Sequence, residues 1–355
     1  YLFDRKEIAI MKFNKTLITR FQKEMHFHHV VAEGTNEEIG YQLGCLAKNN
    51  HNIDKSINAD STMVASQYGY LKLYYPEHYE RMSGFAKAYG KDLFDDNYDF
   101  SFFGHVPTGT ACSAVYYPPA TTNTGHGYIS RNLDFSILKN LKLPSFPFKH
   151  TYLVEMYPQS SYPSISLFCF EVFGLALEGI NSEGLAVIHL ADADTRIDHE
   201  ELATHQTRKG FNEFLPIQYL LDRCSTAPEA IEALKKLEHY HRAIPVHLLI
   251  ADKQGNSYVF EYSSDGSQKL YIRGNLTTPL KITNFQFNRL SDAAMTRKME
   301  SRSAENGLDR YHTLENILDS IQIPFTEKVI QETNAAVYVH ADNDSELERT
   351  LFHSI

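Results

Sequence analysis

Cys112 is the side chain with the clearest chemical potential in this 355-residue sequence. It directly precedes a strand-like segment, 113–117, and a turn-rich connection leads from there to a second such segment, 127–135. Two strand-like runs joined by turn residues predict a hairpin, which would bring Arg131 and Asp134 near the thiol. A thiol ionises with a pKa of about 8.5, and a nearby guanidinium favours the thiolate. A carboxylate beside them could orient an amine.

These residues also have ordinary structural interpretations. A lone cysteine is more often a small buried hydrophobic residue than a nucleophile. Arg131 and Asp134 could form a surface ion pair that flanks a strand. The sequence contains no GxSxG, GxGxxG, P-loop or HExxH motif that would offer another catalytic centre. The tightest histidine clusters, 26–29 and 239–241, lack cysteine or carboxylate ligands at a recognised spacing, so we expect no metal and no cofactor.

Five segments, in order along the chain, resemble a known family. They are similar to N-terminal-nucleophile (Ntn) cysteine hydrolases of the branch that includes choloylglycine hydrolases, penicillin V acylase, acid ceramidase-like enzymes and acyl-coenzyme A:6-aminopenicillanic acid acyltransferases. The first is a GxxxExGxxxG helix start at 34–44, and the second is a Cys-Thr/Ser…Arg-Asn-x-Asp core formed by Cys112-Ser113 and 131–134. The others are a Gly-x-Asn-x-x-Gly-Leu turn at 179–185, the Thr-Asn of an oxyanion site at 283–284, and a late arginine ahead of a helix at 309–311.

The resemblance implies a precursor that cleaves itself before Cys112. The cut would separate a helical pro-segment, 1–111, from a catalytic region, 112–355, so that pieces of 111 and 355 − 111 = 244 residues together form one domain. The new α-amine would titrate near about 7.7–8.0 and could serve as general base at neutral pH. The thiolate would then attack an amide carbonyl, and water would release the acid from the acyl-enzyme.

The resemblance also assigns roles to four further residues. Asp134 would hold the amine, and Arg131 would support the thiolate or the substrate. Asn284 would donate to the oxyanion, and Arg310 would support the site.

Two features depart from the family pattern. The second oxyanion asparagine of the bile-salt branch is replaced here by Ala191, with His189, Asp192 or a backbone group as alternative donors. In addition, Arg131 and Asp134 are three residues apart and would face opposite sides of a regular strand. A bulge or the end of the strand must intervene if both line one site.

The elements around these residues predict an α+β domain. Helices are expected through the first third, with a capping box at Thr35 and Glu38, and again near 210–239 and 308–321. The helical segments expected in the first third are 36–49 and 62–92, the latter divided before Pro76. Strands are expected over 113–117, 127–135, 151–156, 164–173, 185–190, 246–252 and 257–262. This order argues against a βαβ parallel sheet, and the resemblance implies a four-layer αββα sandwich of two mainly antiparallel sheets between helix layers.

Composition excludes several classes of protein. A 43% apolar and 22% charged composition is typical of a globular protein. A net charge of −10 with scattered basic residues argues against nucleic-acid binding. The longest apolar stretch, 165–180, is interrupted by Glu171 and Glu178, so we expect no transmembrane segment. The four cysteines are too far apart to suggest a disulfide framework.

The resemblance, carried by Cys112, the 131–134 segment and Asn284, implies hydrolysis of a small-molecule, non-peptide N-acyl amide with an apolar acyl chain. Acyl transfer to an amine acceptor is the first alternative, and a non-catalytic binding or effector protein on the same scaffold is the second. A papain-type peptidase is disfavoured because the chain has no tryptophan. Tyr116, Phe135 and Phe285 are candidates for lining the pocket, or for ordinary core. Homo-oligomerisation stays open, as does the compartment, cytoplasmic or secreted after removal of a signal absent from this chain.

Overall fold

Thirteen strands and seven helices form in the residues that this computed structural model describes, which are 10–18, 24–51, 61–95, 98–101, 110–136, 149–169, 171–174, 176–192, 209–240, 245–263, 267–290, 302–338 and 348–355. The helices are α1 (Asn36–His51), α2 (Ser61–Tyr74), α3 (Pro76–Ala88), α4 (Leu215–Arg223), α5 (Ala227–Lys236), α6 (Arg302–Ser320) and α7 (Glu327–Ala335). The strands are β1 (Ile10–Ile18), β2 (Glu24–Gly34), β3 (Thr110–Tyr117), β4 (Tyr128–Ser136), β5 (His150–Pro158), β6 (Ser164–Phe168), β7 (Ala176–Asn181), β8 (Ala186–Ala191), β9 (Val246–Ala251), β10 (Ser257–Tyr262), β11 (Lys269–Arg273), β12 (Leu280–Ile282) and β13 (Glu348–Ser354).

The described strands form two sheets. The larger has nine strands in the order β1-β2-β5-β6-β7-β8-β9-β10-β11, and the smaller has four in the order β12-β3-β4-β13. Within them β2 and β5 pair in parallel, and the other neighbours are antiparallel. The prediction of two mainly antiparallel sheets is confirmed.

Three apolar cores separate four layers. One lies between α1–α5 and the large sheet, and includes Ile39, Phe85, Leu220, Ile231 and Ile250. A second lies between the two sheets, and includes Cys112, Leu133, Ile188 and Leu249. The third lies between the small sheet and helices α6 and α7, and includes Val115, Leu314 and Ile330. Because apolar cores lie on both faces of each sheet, the architecture is the expected αββα sandwich.

The first third of the chain is less helical than the sequence predicts. Helices α1, α2 and α3 form as expected, but β1 and β2 precede them at one edge of the large sheet. Strand β2 pairs with β5, with His26 opposite His150. The pairing with β5 joins segments distant in the chain and leaves no local signal, whereas the antiparallel pairing of β2 with β1 is local and was not predicted.

The segment predicted as one strand over 164–173 is also different in the structure. Strand β6 ends at Phe168, and a separate strand, β7, begins at Ala176. Between them Glu171 accepts hydrogen bonds from the backbone N–H groups of Phe173 and Gly174. This carboxylate stabilises a turn where the apolar composition alone suggested a continuous strand.

The predicted capping box and its helix are confirmed. Thr35 Oγ1 accepts from the N–H of Glu38 at 3.2 Å, while Glu38 Oε2 accepts from the N–H of Thr35 at 2.8 Å. Helix α1 then packs closely on α3, because a Cβ added at Gly40 would lie 1.9 Å from the carbonyl oxygen of Arg81. Gly40 therefore has a packing role, as does Gly44, where an added Cβ would lie 2.7 Å from Ala88 Cβ.

The turn at 179–185 is held by Asn181. Its Oδ1 accepts from the N–H groups of Glu183 and Leu185, and its Nδ2 donates to the carbonyls of Leu221 and Cys224 at the end of α4. The next glycine, at 184, has a φ of 80°, a conformation that favours glycine. This family-like motif thus joins β7 and β8 and fixes them against α4.

No helix among the described residues combines the length and the apolar character that crossing a membrane requires.

Candidate active site

The β3–β4 hairpin carries three of the five predicted site residues. Cys112 lies opposite Leu133, Ala114 lies opposite Arg131, and the pairing continues without a register shift to Asp134. Side chains alternate between the faces of a regular strand. Arg131 and Asp134 therefore face opposite sides of the small sheet, and the bulge needed to place both on one side is absent from this pairing.

The inner face of the hairpin, which is the face towards the large sheet, presents the thiol and a guanidinium. Arg131 Nη2 lies 3.4 Å from Cys112 Sγ and 3.1 Å from the carbonyl oxygen of His189, while Nη1 lies 3.1 Å from Glu178 Oε2. Cys112 is 2% exposed and Arg131 is 1% exposed. The interpretation of Arg131 as part of a surface ion pair is therefore wrong.

Two opposing effects act on the Cys112 thiol. Burial is the larger, and it raises the pKa of the thiol above its ordinary value, while the charge of Arg131 acts in the opposite direction. Asp134 raises this pKa further, and Arg310 lowers it. The guanidinium thus acts in favour of the thiolate, but loss of hydration outweighs it, so the pKa of the Cys112 thiol lies above its ordinary value.

The outer face of the hairpin, which is the face towards α6 and α7, carries Asp134. This carboxylate is fully buried, and it accepts hydrogen bonds from Arg310 Nη1 at 3.0 Å and from Thr350 Oγ1 at 2.5 Å. Helix α6 supplies Arg310, and β13 supplies Thr350. A buried charge requires such partners, so this pair fixes helix α6 against the small sheet.

Asn284 connects the two faces. It follows β12 and is fully buried. Its Oδ1 accepts from the backbone N–H of Cys112 at 2.5 Å and from Arg310 Nη2 at 2.8 Å, while its Nδ2 donates to the carbonyl of Ala191 at 2.7 Å. Short polar contacts therefore link all five predicted residues into one buried cluster, which continues from Asn284 through Arg310 to Asp134.

His189 and Asp192, the two side chains considered as a second oxyanion donor, each contact other groups. His189 lies between Ile188 and Leu190, whose side chains pack between the sheets, so its ring faces the helix layer and contacts Phe214. Burial lowers the pKa of His189 to about 3. Asp192 Oδ1 lies 3.7 Å from His247 Nε2.

The aromatic candidates for a pocket are core residues where their side chains are described. Tyr116 is 3% exposed and donates to the carbonyl of Asp252, and Phe285 packs edge-to-face on Tyr311. The side chain of Phe135 lies outside the described residues. Among the described residues, no group of three or more His, Cys, Asp or Glu is arranged to hold a metal ion.

Sequence reasoning missed two contacts of the site. Glu178, the partner of Arg131, had a signal, because it is a charge inside the apolar stretch 165–180 and lies directly before the Gly-x-Asn turn. Thr350 had none, since it reaches Asp134 only through the pairing of β13 with β4.

The four-layer αββα sandwich, with a cysteine near the start of a strand in the smaller sheet, has the architecture of the Ntn-hydrolase class. The family model described as acyl-coenzyme A:6-aminopenicillanic acid acyl-transferase matches residues 121–355, and the chain belongs to this family. The matched region includes Arg131, Asp134, Asn284 and Arg310 and begins after Cys112. No curated protein matches the sequence.

Several solved structures are similar to this chain. Penicillin V acylase from Agrobacterium tumefaciens has 15% identity over 68% of this chain and 69% of that chain, with a TM-score of 0.35. A mutant of conjugated bile acid hydrolase from Clostridium perfringens has 14% identity over 67% and 83%, with a TM-score of 0.39. The Caenorhabditis elegans ortholog of N-acylethanolamine-hydrolyzing acid amidase has 17% identity over 66% and 89%, with a TM-score of 0.45.

Proposed function

We propose that this protein is an autoprocessed cysteine amidohydrolase, which cleaves a non-peptide N-acyl amide through an acyl-enzyme. One observation carries the proposal. In a buried site, the backbone nitrogen and the thiol of Cys112 each have their own polar partner, Asn284 Oδ1 at 2.5 Å and Arg131 Nη2 at 3.4 Å. Those are the two groups of Cys112 that an N-terminal cysteine nucleophile uses.

The first reaction is cleavage of the bond between Ala111 and Cys112. The thiol adds to the carbonyl carbon of Ala111, the C–N bond breaks, and the departing nitrogen takes up the proton of the thiol. Water then hydrolyses the resulting thioester, which gives a carboxylate on Ala111 and a free thiol and α-amine on Cys112. Asn284 supports this step because its Oδ1 already accepts from the nitrogen that leaves.

The second reaction is turnover of an external amide. The α-amine takes the thiol proton, and the sulfur adds to the substrate carbonyl. The substrate C–N bond then breaks as the leaving amine takes that proton, and water hydrolyses the thioester to the free acid and the Cys112 thiol. Asn284 Nδ2 carries two hydrogens, of which the Ala191 carbonyl accepts one. The second is the donor that we assign to the oxyanion. Arg131 favours the thiolate, while Arg310 and Asp134 hold Asn284 in place.

The surroundings of Glu178 support a substrate with an apolar acyl group. On the same face of the large sheet, Leu153, Ile165 and Ile180 are 42%, 39% and 47% exposed. Ile165 pairs with Ile180, and Leu167 lies between Leu153 and Glu178 in the register. This open aliphatic surface begins at the carboxylate that contacts Arg131, so an acyl chain lying on it would place its carbonyl end towards Cys112.

Acyl transfer is the second candidate, and the description of the family favours it. An acyl-enzyme can be intercepted by any amine that competes with water. The two reactions share every step up to that point, so the same residues would serve both.

Product analysis tests the proposal. The protein is incubated with small N-acyl amides of increasing chain length, with and without an added primary amine, and the products are separated by mass. Release of the free acid supports hydrolysis, whereas acylation of the added amine supports transfer. The control is Cys169→Ala, which removes a second thiol buried in the same core. Absence of both products, together with failure of a thiol-directed acylating probe to label Cys112, would overturn the proposal in favour of a binding protein.

A further inference from the structure

Three ionisable side chains lie buried between the sheets beside the candidate site without a part in the mechanism above. Asp192 follows β8, His247 lies in β9 and Glu261 lies in β10. His247 and Glu261 are fully buried, and Asp192 is 4% exposed. Charged and polar groups are seldom buried to this degree without a function in structure or chemistry.

These side chains form a chain of contacts across the large sheet. His247 Nδ1 lies 2.9 Å from Glu261 Oε2, and His247 Nε2 lies 3.7 Å from Asp192 Oδ1. The imidazole therefore stands between two carboxylates. Its orientation follows from the register of β9, because Leu249 and Ala251 pack between the sheets and His247 shares their face.

Each end of this chain reaches a backbone segment that holds Asn284. At one end, Glu261 accepts hydrogen bonds from the N–H groups of Phe287 and Asn288, at 2.9 and 2.7 Å. These two residues follow Asn284 in the loop after β12. At the other end, Asp192 directly follows Ala191, whose carbonyl accepts from Asn284 Nδ2.

We propose that His247, together with Glu261 and Asp192, is a positioning unit that fixes the side-chain amide of Asn284. The expected effect on catalysis rests on the function proposed above, whereas the expected effect on the position of Asn284 does not. The amide of Asn284 must keep Oδ1 towards Cys112 and Nδ2 towards Ala191, and a rotation about its terminal bond would exchange a donor for an acceptor. Holding the two flanking segments at a fixed separation prevents this rotation.

A catalytic group that moves by about 1 Å can lower a rate by about 100-fold. Loss of the imidazole should therefore lower kcat, with little change in KM, because His247 is not expected to touch the substrate. The expected size of the loss in kcat for His247→Leu is about 10- to 100-fold.

Hydrogen exchange gives a first test that does not depend on turnover. In His247→Leu, the amides of Phe287 and Asn288 should exchange at least about tenfold faster than in the wild type, because Glu261 loses the contact that orients it. The matched control is His78→Leu, which removes another buried imidazole, one that stacks on Tyr75 and Phe173 in the helix layer. Unchanged exchange in His247→Leu, or equal acceleration in both variants, would overturn the proposal.

A double-mutant comparison gives the second test. If His247 acts through Asn284, His247→Leu should lower kcat in the wild-type background and have no further effect in Asn284→Ala. His247→Asn, whose amide nitrogen reaches the position of Nδ1, should restore most of the lost activity. Additive losses of kcat would overturn the proposal. A wild-type protein without activity would instead refute the proposed function, and the exchange result alone would then decide whether the unit positions the loop.

Discussion

The two faces of the β3–β4 hairpin have different compositions and different contacts. On the inner face, Cys112 lies in an apolar core, and its thiol contacts the guanidinium of Arg131, which also pairs with Glu178. On the outer face, Asp134 forms a buried ion pair with Arg310 of the helix layer. The chemistry that the sequence assigned to one site is thus divided between two faces of one hairpin.

Asn284 contacts residues of both faces, and these contacts give each face a different role in the reaction. The inner face presents the group that reacts, while the outer face acts on the reaction through Arg310 and the amide of Asn284. Residues predicted to share a site can therefore contribute to it from opposite sides of a sheet when one side chain at the sheet edge connects them.

The largest expected effect comes from breaking the outer ion pair. Asp134→Asn and Arg310→Gln should each destabilise the protein by about 3–5 kcal/mol, because each leaves a buried charge without its partner. Both should also lower kcat, since Asp134→Asn loosens the hold on Arg310 and Arg310→Gln removes the donor to Asn284. Urea denaturation and steady-state kinetics measure the two effects.

The double variant sharpens this prediction. Because Asp134 acts through Arg310, the combined variant should be no less stable and no less active than the worse single variant. Fully additive losses would show that Asp134 has a separate role, such as holding the α-amine directly.

The next effect concerns the inner face and is a shift in pH dependence. Arg131 lowers the pKa of Cys112, so Arg131→Gln should raise it. Alkylation of Cys112 by iodoacetamide should then require a higher pH than in the wild type, as followed by peptide mass spectrometry across a pH series. The control Arg131→Lys keeps the charge and should shift the profile less. A profile that is unchanged, or that moves to lower pH, would show that Arg131 does not control the thiol.

The smallest effect on kcat is expected for a change on the outer face that leaves the Asp134–Arg310 ion pair intact. Val115 is 2% exposed and packs among the apolar side chains of α6 and α7. Val115→Ala should cost about 2 kcal/mol of stability, from the loss of two buried methyl groups and the cavity they leave. We expect kcat to stay within about twofold of the wild type at a temperature where the variant is folded, and a larger loss would contradict the division between the faces.

Much of this arrangement could be predicted from local sequence. The β3–β4 hairpin, the capping box at Thr35 and the grouping of Cys112 with Asn284 follow from turn residues, cap chemistry and family-like motifs. Each of these signals lies within a few residues of the feature that it predicts, or belongs to a family motif in which the site residues are specified.

The remainder depends on partners that are distant in the chain. The pairing of β2 with β5 was missed because the two strands are distant in the chain, and Thr350 was missed because β13 joins the sheet beside β4. The contact between His247 and Glu261 was missed for a similar reason, since charged residues inside apolar strands show only that a partner must exist. Which strand supplies that partner is decided by the order of the sheet.

The central claim is that Cys112 becomes the N-terminal residue of a catalytic chain, and denaturing mass spectrometry of the purified protein tests it most directly. We expect two pieces that separate between Ala111 and Cys112, with 244 residues in the second when residue 355 is the last, since 355 − 111 = 244. We also expect an uncut chain for Cys112→Ala and normal cleavage for Cys169→Ala. A wild-type chain that stays whole under conditions that support turnover, or a Cys112→Ala variant that still splits at this bond, would contradict it.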